Sequence, residues 1–227
     1  MLTAIIVAAG SSARMGFDKT FVSLGGIPAV GHSLHAFERA ASVTDIILIG
    51  REDRIGELNE IVRTQKIKKV RQVIAGGAHR QDSVRIGLNF LNSNARYVAV
   101  HDAARPLITA EQIERVFSKC RLHNAAALAE PITDTLKRAD KEYFVSGAVN
   151  REGIYAMQTP QIFSRELLVR AYEAIAKTNL SITDEVSAVE NLGEKVVLVP
   201  NEEANLKITY PRDLEIAEAV LIRRAAG

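Results

Sequence analysis

Small residues and two cations follow the first predicted strand of the sequence. The apolar run 3–8 leads into Ala-Gly-Ser-Ser-Ala at 9–13, and Arg14 and Lys19 come next. Small residues let a ligand approach the backbone, and successive N–H groups in such a loop form a concave site for an anion. The pattern predicts a grip for a triphosphate. Its predicted nucleotide-binding residues are Ala8, Ala9, Gly10 and Ser11.

Two common phosphate-binding motifs are absent from this loop. A dinucleotide-binding loop has the spacing G-x-G-x-x-G and a P-loop has G-K-[ST] at the start of a helix, and neither occurs here. The missing glycine pattern disfavours a nicotinamide dehydrogenase. What remains is a grip for a triphosphate, formed by backbone N–H groups together with Arg14 and Lys19.

A second pair of glycines follows the third predicted strand. Gly76 and Gly77 have no side chains, so backbone groups there can reach the edge of a nucleotide base. Arg80 and Ser83 follow in the sequence. We expect them to contact either the base or the turn itself.

A carboxylate and a further lysine come from later parts of the chain. Asp102 lies near the end of the fourth predicted strand, between His101 and Arg105. A lone carboxylate beside a triphosphate suits a hard cation such as Mg²⁺, and the alternative is a helix cap or a salt bridge with Arg105. His101 is expected to be structural. Lys207 is predicted on a late strand, from which it either reaches the α-phosphate or lies on the surface.

The elements that must position these residues alternate between apolar runs and amphipathic stretches. This alternation predicts a three-layer α/β fold with a mostly parallel open sheet and helices on both faces, in a single domain, 1–227. Predicted strands are 3–8, 45–49, 70–75, 97–100, 125–129 and 195–199. Predicted helices are 28–40, 53–63, 82–91, 109–123, 165–177, 184–192 and 211–224.

The alternation breaks between residues 131 and 157. Two short alternating runs, 134–138 and 143–149, are separated by the turn-like Ala-Asp-Lys-Glu at 139–142. This pattern predicts a protruding β-hairpin arm within 131–157. Such an arm either pairs with a partner subunit or is an ordinary surface hairpin.

Composition restricts the classes of partner. The chain has 227 residues and a formal net charge of +2, too balanced for a nucleic-acid coat or an anionic membrane surface. No apolar run approaches the length of a membrane span. Cys120 is the only cysteine, so no intrachain disulfide forms, and a cytoplasmic location is expected.

Six segments of the chain, in order, resemble the 2-C-methyl-D-erythritol 4-phosphate cytidylyltransferase family of sugar-phosphate nucleotidyltransferases. The loop after the first strand matches A-A-G-x-x-x-R-M…K. The other five segments are G-G-A-H-R-Q-D-S-V at 76–84, V-H-D-A-A-R-P at 100–106, Q-T-P-Q-I-F at 158–163, T-D-E at 183–185 and K-I-T at 207–209. The resemblance spans nearly the whole chain and implies the Rossmann-like sheet of nucleotidyltransferases.

This resemblance implies transfer of CMP from CTP to 2-C-methyl-D-erythritol 4-phosphate, with release of pyrophosphate, in non-mevalonate isoprenoid biosynthesis. It implies that Asp102 coordinates Mg²⁺ and that the cytosine lies at Gly76 and Gly77. The implied catalytic residues, which stabilise the transition state, are Arg14, Lys19 and Lys207.

The resemblance also assigns residues to the polyol phosphate. Thr135 and Arg151 of the arm would reach the polyol phosphate bound in the partner subunit, which makes the active site composite and a homodimer necessary. The other implied substrate-binding residues are Asp102, Arg105, Thr159 and Thr183.

The phosphate loop departs from the family pattern. Asp18-Lys19-Thr20 stands where Pro-Lys-Gln is frequent, and the run from Arg14 to Lys19 resembles the R-M-G-x-D-K form of molybdenum-cofactor nucleotidyltransferases. Three alternatives therefore accompany the cytidylyltransferase hypothesis. They are a ribitol-phosphate cytidylyltransferase, a molybdenum-cofactor nucleotidyltransferase and a nucleotide-sensing protein without turnover.

Overall fold

Strands and helices alternate along most of the chain. The computed structural model describes residues 1–10, 15–178 and 180–226. Its strands are β1 (Leu2–Ala8), β2 (Ser23–Leu24), β3 (Ile27–Pro28), β4 (Val43–Gly50), β5 (Val70–Ala75), β6 (Tyr97–Asp102), β7 (Ala125–Pro131), β8 (Leu136–Ala139), β9 (Val145–Val149), β10 (Tyr155–Ser164) and β11 (Val197–Pro200). Its helices are α1 (Ala29–Arg39), α2 (Ile55–Thr64), α3 (Arg80–Asn89), α4 (Ala110–His123), α5 (Arg165–Thr178), α6 (Glu185–Glu190) and α7 (Arg212–Ala226).

Seven of these strands form one sheet in the order β11-β7-β10-β6-β1-β4-β5. Strand β1 pairs in parallel with β4 and β6, β4 with β5, and β7 with β11. Only β10, among the described strands of this sheet, runs antiparallel to its neighbours, β6 and β7. The predicted mostly parallel sheet is confirmed.

Apolar side chains cover both faces of the sheet. On β1, Ile6 packs into a core that also contains Phe37 of α1 and Val116 of α4. The next residue toward the N-terminus, Ile5, packs on the opposite face with Val84 of α3. Because successive residues of a strand point to opposite faces, this continuous apolar run serves two cores, and the fold has the predicted three layers.

Strand β10 has no counterpart in the sequence-based prediction. The segment 158–161 reads Gln-Thr-Pro-Gln, which lacks the apolar alternation of a strand and contains a proline. Its buried polar groups are satisfied by side chains instead. Gln158 Nε2 donates to Glu130 Oε2 at 2.9 Å, and Gln158 Oε1 accepts from the Asn201 and Asn205 side-chain amides, each at 3.1 Å.

Two small hairpins lie outside the main sheet. The predicted arm is observed as β8 paired antiparallel with β9, with Leu136 opposite Val149. A shorter hairpin, β2 with β3, has no counterpart in the prediction. It packs near the last helix, where Leu24 and Ala217 share a small apolar cluster.

The prediction of a strand around Lys207 was wrong. Residues 202–209 form an extended connection between β11 and α7 that joins no sheet. The connection is fixed by single hydrogen bonds, including Ile208 N–H to Ala104 O at 2.8 Å and the Asn205 side chain to Thr159 O at 3.0 Å. These bonds hold Lys207 against the end of β6.

Helix α4 begins at a reciprocal pair of capping side chains. At the start of α4, the Thr109 side chain accepts from Gln112 N–H at 3.2 Å and the Gln112 side chain accepts from Thr109 N–H at 3.0 Å. This reciprocal pair is a capping box. Helix α4 buries Cys120, and burial raises the pKa of its thiol to about 12.

Candidate active site

Two cavities meet at the carboxyl ends of β1 and β6, the edge at which open α/β sheets bind ligands. The first, here called the loop cavity, has a volume of about 510 Å³. The second, here called the β10 cavity, has a volume of about 750 Å³. Both are lined by Arg80, Asp102 and Lys207, so these three side chains form the boundary between them.

The two cavities separate the predicted site residues into two groups. The loop cavity contains most of the residues expected to bind nucleotide, namely Ala8, Ala9, Gly10, Lys19, Gly77, Arg80 and Ser83. The β10 cavity contains most of those expected to bind the second substrate, namely Arg105, Thr159 and Thr183. Predicted residues Ser11 and Arg14 lie outside the described residues.

Asp102 lies at the centre of the boundary. Its Oδ2 accepts from Lys207 Nζ at 2.6 Å and its Oδ1 accepts from Arg80 Nε at 2.9 Å. Burial alone would raise the pKa of Asp102, but the charges of Arg80 and Lys207 hold it well below its usual range. Asp102 is therefore an ionised carboxylate between two cations.

Arg80 connects Asp102 to a second carboxylate that the sequence reasoning did not assign to the site. Its Nη1 and Nη2 donate to Glu185 Oε1 and Oε2 at 2.7 and 2.9 Å. Glu185 is fully buried, and its Oε1 also accepts from the Tyr172 hydroxyl at 2.9 Å. The T-D-E segment was a sequence signal for Glu185, but it also fits an ordinary helix start; nothing in the sequence pattern marks Tyr172.

His101 supports the backbone at Asp102. Its Nδ1 lies 3.0 Å from Thr159 Oγ1, which also accepts from Asp102 N–H at 3.1 Å. Its Nε2 lies 3.3 Å from Arg105 O. Burial lowers the pKa of His101 to about 3, so the ring is neutral and structural, as expected from the sequence. Thr159 uses its hydroxyl within this chain of contacts.

The glycine turn after β5 packs directly against the start of α3. A Cβ on Gly77 would lie 2.4 Å from Asp82 Cβ, and a Cβ on Gly76 would lie 2.6 Å from Ser83 Oγ. Ser83 Oγ accepts from Gly77 N–H at 3.1 Å and donates to His79 O at 3.3 Å. Ser83 thus holds the turn, which is one of the two roles predicted for it. Because Gly76 and Gly77 have no side chains, the turn packs directly against the start of α3.

Arg105 is held by main-chain carbonyls. Its Nη1 donates to Asn205 O at 2.8 Å and its Nη2 donates to Met157 O at 3.1 Å. Burial lowers its pKa, and its buried Nε has no hydrogen-bond partner among the described residues. Carbonyl dipoles compensate a cation less than a carboxylate does, so Arg105 retains capacity for an anion in the β10 cavity.

Lys19 also lines the loop cavity. Its Nζ donates to Ile208 O at 2.6 Å, which joins the phosphate loop to the connection that carries Lys207. Asp18, the departure from the family pattern, accepts from Thr20 N–H at 3.1 Å and lies 3.7 Å from Arg51 Nη1. Lys19 and Lys207 therefore face one cavity from two separate parts of the chain.

The arm residues lie apart from this arrangement. Among the described residues that line the two cavities, neither Thr135 nor Arg151 occurs. Arg151 is exposed and its Nη1 donates to Thr133 O, next to the start of β8. Their predicted contact with substrate requires the arm of a second subunit.

Asp102 is the candidate for holding a metal ion. In the part of the chain that the structure describes, no three His, Cys, Asp or Glu side chains are grouped so as to hold a metal by themselves. Mg²⁺ does not need such a group, because it commonly uses one or two carboxylates together with substrate phosphates. An ionised Asp102 beside the loop cavity fits that donor set, and Lys207, whose side chain is 41% exposed, has room to turn away from it.

No helix in the described ranges is long and apolar enough to span a bilayer.

Comparison with known proteins identifies one family. A family model described as IspD, 2-C-methyl-D-erythritol 4-phosphate cytidylyltransferase, matches residues 2–223. Proteins of that name from Desulforamulus reducens and Halalkalibacterium halodurans are 37% and 36% identical, over 98% and 97% of this chain and 97% and 96% of theirs. The solved 4-diphosphocytidyl-2C-methyl-D-erythritol synthase of Anaerococcus prevotii aligns with a TM-score of 0.85 at 31% identity, over 97% of this chain and 95% of that one. The chain therefore belongs to the 2-C-methyl-D-erythritol 4-phosphate cytidylyltransferase family.

Proposed function

We propose that the chain transfers CMP from CTP to 2-C-methyl-D-erythritol 4-phosphate and releases pyrophosphate. The observation that carries this proposal is the shared boundary between the two cavities. A nucleotide in the loop cavity and a polyol phosphate in the β10 cavity would meet at Asp102 and Lys207. The reaction needs two anions to be brought together at one place, and this boundary offers that place.

The transfer is an attack by a phosphate oxygen of the polyol phosphate on the α-phosphorus of CTP. One P–O bond forms, the bond from the α-phosphorus to the bridging oxygen breaks, and pyrophosphate leaves with the electron pair. No covalent enzyme intermediate is needed, since catalysis comes from positioning and charge stabilisation. Lys19 and Lys207 supply positive charge to the phosphates, and Arg14 belongs to the same proposed group.

Lys207 changes its partner in this scheme. Without substrate its ammonium group pairs with Asp102 Oδ2 at 2.6 Å. When the triphosphate enters, Lys207 turns from Asp102 to the α-phosphate, where negative charge increases in the transition state. Donors of this kind, aimed at developing charge, typically account for a rate factor of about 10²–10³.

Mg²⁺ is the proposed cofactor, held by the carboxylate that Lys207 releases. Asp102 would hold it together with phosphate oxygens of CTP, and when bound it neutralises phosphate charge and orients the α-phosphate. The remaining positive charge near the acceptor comes from Arg105, which we assign to the phosphate of the polyol. The Thr159 hydroxyl accepts from the Asp102 backbone N–H and so holds Asp102 in place.

We further propose a homodimer that forms through the arm, in which Thr135 and Arg151 of each subunit contact the polyol phosphate in the other. The exposed position of both residues on the hairpin, away from either cavity of their own chain, supports this arrangement. A cytoplasmic location is proposed from the single buried cysteine and the cytosolic supply of CTP.

The acceptor is tested by parallel assays. Purified protein is incubated with CTP and Mg²⁺ and with either 2-C-methyl-D-erythritol 4-phosphate or ribitol 5-phosphate, and pyrophosphate is followed. We expect release only with the methylerythritol phosphate, and none after addition of EDTA. Release only with ribitol phosphate would keep the mechanism and change the acceptor, whereas CTP binding without release from either would support a nucleotide-sensing protein.

A further inference from the structure

We propose that Glu185 and Tyr172 are positioning residues for the CMP transfer, because they hold Arg80 so that it takes only one oxygen of Asp102. The inference rests on the proposed function for its activity test. It also makes a prediction about nucleotide binding that needs no turnover.

The direction of the Arg80 guanidinium is set by Glu185. A guanidinium carries five N–H donors in a fixed plane and can bind a carboxylate through two of them at once. Here Glu185 takes the Nη1 and Nη2 pair, at 2.7 and 2.9 Å. Only Nε remains directed at Asp102, where it reaches Oδ1 at 2.9 Å.

This arrangement leaves the second oxygen of Asp102 available. Oδ2 faces Lys207 Nζ at 2.6 Å and borders both cavities. If Arg80 were free to turn, its terminal nitrogens would bind both oxygens of Asp102. Such a pair would compete with Lys207 and with any cation for Oδ2.

Glu185 is itself fixed from three directions. Its carboxylate is fully buried and accepts the Tyr172 hydroxyl at 2.9 Å. Its backbone N–H donates to Gln161 Oε1 at 3.1 Å, and Val186 N–H donates to the same oxygen at 3.0 Å. Gln161 on β10 thereby anchors the first turn of α6, and Glu185 has little freedom to follow a moving Arg80.

Tyr172 contributes a hydroxyl that does not ionise. Burial and the neighbouring Glu185 charge raise its pKa, so it remains a donor at all physiological pH values. Its side chain is buried, and its hydroxyl donates to Glu185 Oε1. Tyr172 thus has a polar contact that the packing of α5 alone does not require.

The experiment compares Glu185→Gln and Tyr172→Phe with wild type. We expect kcat/KM for CTP to fall about 10- to 100-fold for Glu185→Gln, the usual range for residues that orient a ligating side chain. Tyr172→Phe, which removes one of the contacts to Glu185 and keeps the ring, should fall less. The half-saturating Mg²⁺ concentration should rise in both, because Arg80 then competes for Asp102 Oδ2.

Matched controls separate positioning from general damage. Glu173→Gln changes an exposed glutamate next to Tyr172 on the same helix, and Tyr97→Phe removes a hydroxyl from a ring that packs on Phe117 at 5.3 Å. Both should change kcat/KM less than twofold. Thermal unfolding is recorded for every variant, and Tyr172→Phe keeps the test valid if Glu185→Gln folds poorly.

A double-mutant cycle with Arg80→Gln gives the deciding readout. If Glu185 acts through Arg80, then adding Glu185→Gln to the Arg80→Gln enzyme should change kcat/KM by less than about twofold. A full additional loss in that background, or wild-type kinetics in Glu185→Gln and Tyr172→Phe, would overturn the inference. The same cycle measured as CTP affinity by calorimetry decides the matter even if the wild-type protein transfers no CMP, an outcome that would overturn the proposed function alone.

Discussion

Lys207 Nζ lies 2.6 Å from Asp102 Oδ2, although the two residues are 105 positions apart in the sequence and Lys207 belongs to no strand. The pair stands where the two cavities meet, so it is available to whichever anion or cation enters. The contact therefore stabilises the site when no substrate is bound, and its two charged groups become available to substrate and metal when these bind.

Replacing Lys207 tests the catalytic role that we propose for this residue. Lys207→Met should lower kcat by about 10²–10³, as expected for loss of one group that stabilises transition-state charge. Thermal stability should change little, because Arg80 still compensates Asp102 and the Lys207 side chain is partly exposed. Steady-state kinetics and thermal unfolding check both statements, with exposed Lys119→Met as the matched control. A kcat within threefold of wild type would contradict the assigned role.

The glycine turn offers a test of the loop cavity. In Gly77→Ala the new Cβ meets Asp82 Cβ at 2.4 Å, so the turn or the start of α3 must move. We expect a loss of about 1–3 kcal/mol in the free energy of unfolding. A displacement of about 1 Å in the turn would lower kcat/KM for CTP by about 10- to 100-fold.

Gly56→Ala is the control for that substitution. A Cβ at Gly56, in α2, meets no heavy atom within 4 Å among the described residues. Alanine there should raise the free energy of unfolding by about 0.5–1 kcal/mol and leave CTP kinetics unchanged. Equal effects of the two substitutions, measured by urea unfolding and calorimetric CTP titration, would refute the packing argument.

Acid should destabilise the fold through His101. The pKa of the ring is about 3 in the folded protein against 6.5 in the unfolded chain, because burial opposes the charged form. Below pH 6.5 the unfolded state therefore binds a proton that the folded state does not, and stability falls as the pH approaches 3. From pH 6.5 to 5 the loss from this one group is about 2 kcal/mol. Protonation of Asp102 also lowers the stability of the fold in acid, but only as the pH falls below 3.8, the ordinary pKa of this carboxyl.

Urea unfolding at pH 7.5, 6.5 and 5.0 measures this slope. His101→Gln should be less stable than wild type at pH 7.5 but should lose about 2 kcal/mol less between pH 6.5 and 5.0. An unchanged slope in His101→Gln would mean that His101 already carries a proton in the folded protein.

The proposed composite site predicts complementation between inactive variants. Lys207→Ala and Arg151→Ala are each expected to be inactive. In a mixed dimer one site would combine Lys207 and Arg151 from intact halves, and the other would lack both. Equal mixing with subunit exchange should then restore about a quarter of the wild-type activity, since half of the dimers are mixed and each has one complete site.

Gel filtration and analytical ultracentrifugation should show the dimer in both parents and in the mixture. A mixture as inactive as its parents, in spite of proven exchange, would place Lys207 and Arg151 in the same subunit's site. A monomer with full activity would contradict the arm's proposed role.

The sequence predicted most of the sheet because its parallel strands are continuous apolar runs. Strand β10 was not predicted because its residues 158–161 are polar and include Pro160. Its buried amides are satisfied by Glu130 and by two asparagines from distant segments. A strand stabilised by side-chain amides has no periodic apolar signal. The connection that carries Lys207 was wrongly predicted as a strand, because Leu206 and Ile208 give it an apolar signal although it joins no sheet.

For the site, the motifs identified the residues that line the cavities, but they did not indicate which buried groups orient those residues. Arg80 follows β5 and Asp102 ends β6, so both lie at the carboxyl edge of the sheet, where the topology predicts a ligand. Lys207 precedes the last helix. Glu185 and Tyr172 come from helices on one face of the sheet, and their contact with Arg80 depends on how α5 and α6 pack. Such distances between distant segments follow only from the folded structure.

The most direct test of the central claim is phosphorus NMR of a reaction that contains the protein, CTP, Mg²⁺ and 2-C-methyl-D-erythritol 4-phosphate. The account predicts one diphosphate-linked cytidine product and one pyrophosphate for each CTP consumed, and neither product with Lys207→Met over the same time. Formation of free CMP in place of the diphosphate product, or no consumption of CTP, would contradict it.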